Sequence, residues 1–173
     1  MSEANGGAHP WTDVYLAVGS NLGDRRANIE RAIERLRQHP EIDRVRVSSI
    51  IETDPVGGPP QGRYLNGAVA ARTRLNPDDL LRYLQDVEHA LGRVRSVRNG
   101  PRELDLDVLI YGTLIRDDAV LQIPHPRMLE REFVLAPLCE LAPSLIHPRT
   151  GKPIASHLDD LRAGSRGAEG ARS

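Results

Sequence analysis

Aromatic residues are scarce in this chain, with one Phe, one Trp and four Tyr among 173 residues. Packing therefore falls to aliphatic side chains, and an aromatic outside the core carries more information than usual. Cysteine is scarcer still: the single Cys139 excludes an internal disulfide and fits a reducing cytoplasm. No apolar run approaches the length of a membrane span, and the opening MSEANGGAHPW lacks the charged and apolar regions of a secretory signal. An excess of charge is missing too. With a formal net charge of −1, the chain has no general cationic surface for coating a nucleic acid, so any arginine cluster is a local device. The length suits one domain that buries about two thirds of its unfolded surface.

What is present concentrates in residues 92–108, GRVRSVRNGPRELDLDV. Four arginines (Arg93, Arg95, Arg98, Arg102) precede Asp105 and Asp107, which alternate with Leu104, Leu106 and Val108. Such alternation is a strand pattern, with both carboxylates on one face and the aliphatic side chains in a core. Aspartate is disfavoured in strands, so two on one face call for a reason. Residues two apart in a strand lie roughly 6.6 Å apart, near enough for both carboxylates to converge on a metal pair. Oxygen-only ligands suit magnesium, which takes one or two carboxylates and fills its other positions with water and phosphate. Guanidinium groups bind phosphate oxygens bidentately and stay charged at any physiological pH. A solvated acidic strand and an ordinary basic surface loop are the plain alternatives. The Gly100-Pro101 turn delivers one segment into the other and favours a joint role with a polyphosphate.

Along the chain, residues 13–19 (DVYLAVG) form a short apolar strand, and GSNLG turns it into a helix from about 24 to 38 with Ile29, Ala32, Ile33 and Leu36 as its stripe. This turn resembles a phosphate loop only loosely, since small residues are needed wherever a strand reverses sharply. A strand over residues 45–53 precedes the proline- and glycine-rich DPVGGPPQG, a segment of the kind that carries binding contacts on a rigid scaffold. Residues 64–73 form the next strand, where Asn66 is either a turn residue or an amide offered to a heterocycle. Asn76 and Pro77 start a helix whose buried stripe is Leu80, Leu84, Val87 and Leu91 and which Gly92 stops. Gln85 and Glu88 sit one turn apart on its flank. The aspartate strand runs to about Tyr111, followed by a turn at Gly112 and a short strand through residues 120–123. Residues 130–141 should be helical, with Phe133, Leu135, Leu138 and Cys139 facing inward in part. His125, between two prolines, is either a solvated turn residue or a phosphate contact beside Arg127 and Arg131; His147 reads as structural.

This order describes an α+β fold of the ferredoxin-like type, a split β-α-β-β-α-β core with an antiparallel sheet and packed helices. Residues 1–12 read as a disordered lead-in, 13–162 as the domain and 163–173 as a disordered tail.

The motifs GSNLGD, TDPVG, YLNGAV, GRVR, GPRELDLDVLIYG and IPHPRMLEREFVLAPLCELAP, in this order, resemble the 6-hydroxymethyl-7,8-dihydropterin pyrophosphokinase family of folate synthesis over nearly all of residues 14–148. The resemblance implies transfer of pyrophosphate from ATP to the hydroxymethyl group of 6-hydroxymethyl-7,8-dihydropterin, with release of AMP. It also implies two magnesium ions held by Asp105 and Asp107. A monomer is expected, with no membrane partner given the lack of long apolar runs and no nucleic-acid partner given the near-neutral charge. Position by position, it implies that Tyr64 and Phe133 sandwich the pterin, and that Thr53, Val56 and Asn66 read its edge. For ATP it points to Gln85, Glu88, Arg93, Arg95, Arg102, Val108, His125 and Arg131, with Arg93 and Arg102 balancing charge on the transferred group. The chain departs from many relatives at Asn99, where they carry tryptophan, which bears on how residues 92–101 close over substrates. A metal-dependent nucleotidyltransferase is the nearest rival, although Gly19-Ser20 and Asp105 lie far apart in sequence. An RNA-binding module of similar fold is disfavoured by the acids on the central strand.

Overall fold

The computed structural model describes residues 9–92 and 100–170. In chain order its elements are β1 (Thr12–Ser20), α1 (Arg25–Gln38), β2 (Ile42–Val47), β3 (Ile51–Thr53), β4 (Tyr64–Thr73), α2 (Pro77–Ala90), β5 (Asp105–Tyr111), β6 (Arg116–Asp117), β7 (Gln122–Ile123), a 3-10 turn (Met128–Glu130), α3 (Glu132–Leu141) and α4 (Ile154–Gly170). The main sheet runs β2-β4-β1-β5, all antiparallel, and β3 shares with β2 the outer side of β4. Counting β2 and β3 as one interrupted strand gives the ferredoxin-like plan.

The interruption departs from the single strand expected over residues 45–53, and side chains explain it. Ser48 Oγ accepts the Ala68 N–H (2.8 Å) and donates to the Ser49 carbonyl (2.9 Å), while the Ser49 N–H and hydroxyl both donate to Glu140 of α3 (2.9 Å each). The Ser48 N–H still donates to the Ala68 carbonyl (3.0 Å), but beyond it these side-chain bonds stand where a continuous ladder would run.

Helices α1 and α2 start where their capping side chains stand. Asp24 accepts the Ala27 N–H (3.1 Å) at α1, and Asn76 accepts the Asp79 N–H (2.8 Å) at α2, ahead of Pro77 in the first turn. Such caps contribute about 1 kcal/mol each. Helices α1 and α2 bury Ile29, Ala32, Ile33, Leu36, Leu80, Leu84 and Val87 against Val14, Leu16, Val18, Leu106 and Val108 of the sheet. A second core on the opposite face joins Ala68, Leu109 and Ile110 to α3 and α4. Both Leu109 and Ile110 reach it because β5 bulges there: Leu16 pairs with Val108 and Tyr15 with Ile110. Upstream of the bulge the alternation holds, so Leu106 and Val108 enter the first core. Asp105 and Asp107 therefore stand on the other face, beside Phe133 and Val134 at the start of α3.

Three other segments differ from the sequence reading. The short strand over residues 120–123 is a two-residue pairing of β6 with β7 around a turn. The helix expected over residues 130–141 begins at Glu132, because Arg131 adopts an extended conformation (φ −119°, ψ 106°) between the 3-10 turn and α3. The tail from residue 163 is helical as far as Gly170, as the last turns of α4. Ile154 and Leu158 anchor that helix in the second core, and propagation from a packed start offsets the cost of glycine at 164 and 167. Among the described residues, no helix is long and apolar enough to cross a membrane.

Burial pushes the pKa values of His39, His125, His147 and His157 down from the usual histidine value. Their folded states bind protons less readily than the unfolded chain, whose histidines titrate near pH ~6.5. This contribution to stability is present above that value and is lost as the pH falls through the folded pKa values. Melting temperature is expected to fall between pH 7.5 and 5, before the carboxylates titrate. A flat or rising profile across that interval would contradict the burial of these rings.

Candidate active site

The site forms where β1, β4 and β5 run side by side beneath the first turn of α3. Gly19 stands opposite Asn66 on one side and Asp105 on the other. A Cβ on Gly19 would lie 2.7 Å from Asn66 Oδ1, so the missing side chain makes room for this amide. Asn66 also donates to Thr53 Oγ1 (2.6 Å), which fixes the amide in mid-strand and removes the turn reading.

A cavity of about 190 Å³ opens over these strands. Its wall includes Thr53, Val56, Tyr64, Asn66, Arg102, Asp105, Asp107, Arg131 and Phe133, which brings nine of the expected site residues together. Asp54 and Gln61 also line it, and the sequence reading did not single them out. Both belong to the proline- and glycine-rich segment, whose composition marks a binding loop but singles out no residue within it. A larger cavity of about 390 Å³ adjoins on the far side of Asp107 and is bordered by Val108, His125 and residues 118–122. Asp107 borders both.

Charge in the first cavity is arranged in pairs. Arg102 Nη1 meets Asp105 Oδ1 at 2.9 Å. The Arg131 guanidinium lies 5.7 Å from the Phe133 ring centre, and its buried Nε has no hydrogen-bond acceptor among the described residues. A buried donor left unmade costs about 1–3 kcal/mol, which an anionic ligand would recover. The Tyr64 hydroxyl donates to the Gly100 carbonyl at 3.4 Å and ties this ring to the turn that leads into β5. In the second cavity, His125 Nδ1 accepts the Arg127 N–H (3.2 Å). Burial, then the charges of Arg131 and Arg127, hold His125 below the usual histidine range, against the opposing pull of Asp105. The ring is therefore neutral at pH 7, with Nε2–H as its donor.

Not every expected residue joins these two cavities. Gln85 and Glu88 remain on α2 outside both, and Glu88 is buried (2 % exposed) instead of occupying a solvated flank. Val56 is largely exposed at the rim. Arg93, Arg95, Arg98 and Asn99, with the expected closing loop, lie outside the described residues.

Asn21, read as part of a turn, proves to be the joint between three segments. Its backbone N–H donates to the Arg102 carbonyl (3.0 Å), and its Oδ1 accepts the Arg102 N–H (2.8 Å). Its Nδ2 donates to Gln61 Oε1 (2.8 Å) and the Gly62 carbonyl (3.1 Å). Nothing local in the sequence marks a contact with a residue 81 positions away. Asn21→Ala is expected to lose about 2–3 kcal/mol, because it strands three partners. It should also reduce kcat/KM, because it releases both Arg102 and the 54–63 loop. Thermal melts with steady-state kinetics test this, and a variant that loses stability while keeping full kcat/KM would show that the joint does not serve the site.

The class these features define is a ferredoxin-like α+β transferase with paired carboxylates and arginines on one sheet face. Residues 15–143 match the 7,8-dihydro-6-hydroxymethylpterin-pyrophosphokinase family, and the chain belongs to that family. It is 50% identical over 128 residues to the 2-amino-4-hydroxy-6-hydroxymethyldihydropteridine pyrophosphokinase of Bacillus subtilis, covering 74% of this chain and 77% of that protein. It is 44% identical over 150 residues to the protein of the same name from Pseudomonas aeruginosa, covering 87% and 90%. The fold is similar to that of Plasmodium falciparum HPPK-DHPS with pterin and p-hydroxybenzoate, at a TM-score of 0.70 and 14% identity. That likeness covers 90% of this chain, which spans 42% of the length of that one.

Proposed function

We propose that this chain transfers the pyrophosphoryl group of ATP to the hydroxymethyl oxygen of 6-hydroxymethyl-7,8-dihydropterin. The observation that carries the reading is the meeting of two cavities at Asp107, one with Tyr64, Phe133 and Asn66, the other with Val108 and His125. A ring seated between Tyr64 and Phe133 gains offset stacking as well as burial. Thr53 and Asn66, already bonded to each other, present a fixed polar edge to it. The nucleotide occupies the second cavity, with Val108 offering its backbone to the base and neutral His125 donating from Nε2 to phosphate.

Asp105 and Asp107 fit magnesium by their chemistry. Both are carboxylates on one strand face, and among the described residues no group of three or more His, Cys, Asp or Glu forms a richer site. An ion that takes one or two carboxylates and completes its shell with water and phosphate suits that pair. Two such ions, held by these aspartates, would neutralise phosphate charge and clamp both ends of an in-line displacement. Arg102 now occupies Asp105; in the loaded site it exchanges that carboxylate for phosphate oxygens. Arg131, with its unsatisfied Nε, meets the same anion. The new bond joins the hydroxymethyl oxygen to the β-phosphorus, the bond from that phosphorus to the α-phosphate oxygen breaks, and AMP leaves. The hydroxyl proton passes to solvent or to Asp107. Arg93 and Arg95 enter this account only through the family pattern. Cytoplasmic residence and a monomeric state belong to the same reading and rest on the single cysteine and the family resemblance.

The nucleotidyltransferase alternative draws on one observation, the pairing of Gly19 with Asp105 across β1 and β5 despite their separation in sequence. Products decide between the two. Incubation with ATP, magnesium and the reduced hydroxymethylpterin should yield AMP in step with pterin diphosphate. Release of inorganic pyrophosphate with a nucleotidylated product would establish the alternative, and no reaction would remove both.

A further inference from the structure

The second cavity has one wall that belongs to neither the sheet nor a helix. It is the 118–122 turn that joins β6 to β7, with Gln122 already the first residue of β7, and it shares the cavity lining with Leu81, Leu106, Val108 and His125. A turn of this kind is mobile unless something fixes it. Here Asp118 closes it from within: its Oδ1 accepts the N–H groups of Val120 (2.9 Å) and Leu121 (2.8 Å), and its own N–H donates to the Leu121 carbonyl (3.3 Å). Arg116 closes it from outside. Its Nε donates to Asp118 Oδ2 at 2.5 Å, while Nη1 and Nη2 donate to Asp78 Oδ2 and Oδ1 at 3.0 and 2.9 Å. Asp78 sits in the first turn of α2, so a single guanidinium spends all three nitrogens joining the turn to that helix.

We propose that Arg116 is a positioning residue for the nucleotide, acting through the 118–122 turn that it locks against α2. The inference rests on the assignment of the second cavity to ATP and adds the element that holds that cavity in shape. Geometry supplies one half of the effect. The planar guanidinium matches the Asp78 carboxylate bidentately and reaches Asp118 from its remaining edge, a fork that a lysine ammonium cannot reproduce. Charge supplies the other half. Arg116 holds Asp118 down at about 2, with help from the two backbone N–H groups, and it lowers Asp78 as well. Asp118 is thus ionised at the wall of a cavity meant for a polyanion, and Arg116 offsets its charge while anchoring on Asp78. Without it the turn loosens and the Asp118 charge at the cavity wall is left without its guanidinium partner. Asp117, the next residue, is paired with Arg149 and is committed to the C-terminal segment.

The effect should fall on nucleotide binding and spare the pterin, since the first cavity shares no residue with this clamp. Calorimetric titration of wild type with ATP and magnesium comes first, so that a failure of the functional reading shows there, whereas a failure of this inference shows only in the variants. Arg116→Gln is expected to raise Kd and KM for ATP about tenfold, with Kd for the pterin and kcat at saturating ATP within about twofold, the pattern of lost uniform binding. Arg116→Lys, which keeps the charge and loses the fork, should recover part of that loss. If Arg116→Gln does not fold, Asp78→Asn reads the same clamp from the α2 side and should weaken ATP in the same direction. An ATP affinity unchanged in the folded variant, or equal weakening of both ligands, would overturn the proposal and leave Arg116 a structural ion pair.

Discussion

Asp107→Ala should lower kcat by at least about a thousandfold, the scale of several kcal/mol that metal-assisted charge neutralisation contributes to such a transfer. The melting temperature should stay within a few degrees of wild type. These two expectations follow from one placement. Asp107 occupies the face of β5 that carries no core residue at that point, flanked in sequence by the buried Leu106 and Val108. Removing a carboxylate there deletes no apolar packing, and alanine is no worse than aspartate in a strand. Function, in contrast, converges on it, since Asp107 alone of the paired carboxylates borders both cavities. Asp105→Ala should be similarly inactive for a compound reason: it removes the second metal ligand and also the 2.9 Å partner of Arg102. Steady-state assays at saturating magnesium, alongside thermal melts, separate these outcomes. Near-normal turnover of purified, folded Asp107→Ala would sink the metal assignment, and a collapse of melting temperature would place the side chain among structural groups instead.

How far the sequence discloses this molecule depends on the range of the interaction. Alternation in residues 104–108 marked β5, its buried side and its acidic side, because side-chain period is a local property. Caps are local too, and Asp24 and Asn76 start their helices where expected. The break between β2 and β3 was hidden because Ser48 and Ser49 are bonded to Ala68 and Glu140, partners distant in sequence. Propensity misled at the end of the chain, where three glycines in residues 163–170 suggested a tail although α4 continues from a packed start. Within the site, the residues carried over by resemblance gather in two adjoining cavities, apart from Gln85, Glu88 and those outside the described residues. The side chains that position them stayed silent. Asn21 and Arg116 act by joining segments 81 and 38 residues apart, and no spacing rule marks such joints.

Phe133→Ala is expected to weaken pterin binding by about 2–3 kcal/mol, roughly thirty- to a hundred-and-fiftyfold, and ATP binding much less. The ring lines the first cavity from the opening turn of α3 and is only half-buried, whereas Val134, Leu135 and Leu138 fill the core behind it. Truncation therefore removes one face of the proposed sandwich and leaves the helix anchored. A small loss for ATP is still expected, because the Arg131 guanidinium rests 5.7 Å from this ring and loses a cation–π contact of about 0.5–1 kcal/mol. Tyr64 forms the opposite wall and allows a sharper division. Tyr64→Phe keeps the ring and removes the hydroxyl with its 3.4 Å hydrogen bond to the Gly100 carbonyl, and should keep pterin affinity within about threefold, the scale of one long hydrogen bond. Tyr64→Ala removes the ring and should match Phe133→Ala. Paired calorimetric titrations with the pterin and with ATP resolve the pattern. Equal losses for the two ligands in Phe133→Ala, accompanied by a large fall in melting temperature, would mean that the ring belongs to the second core and that the pterin is held by something other than an aromatic pair.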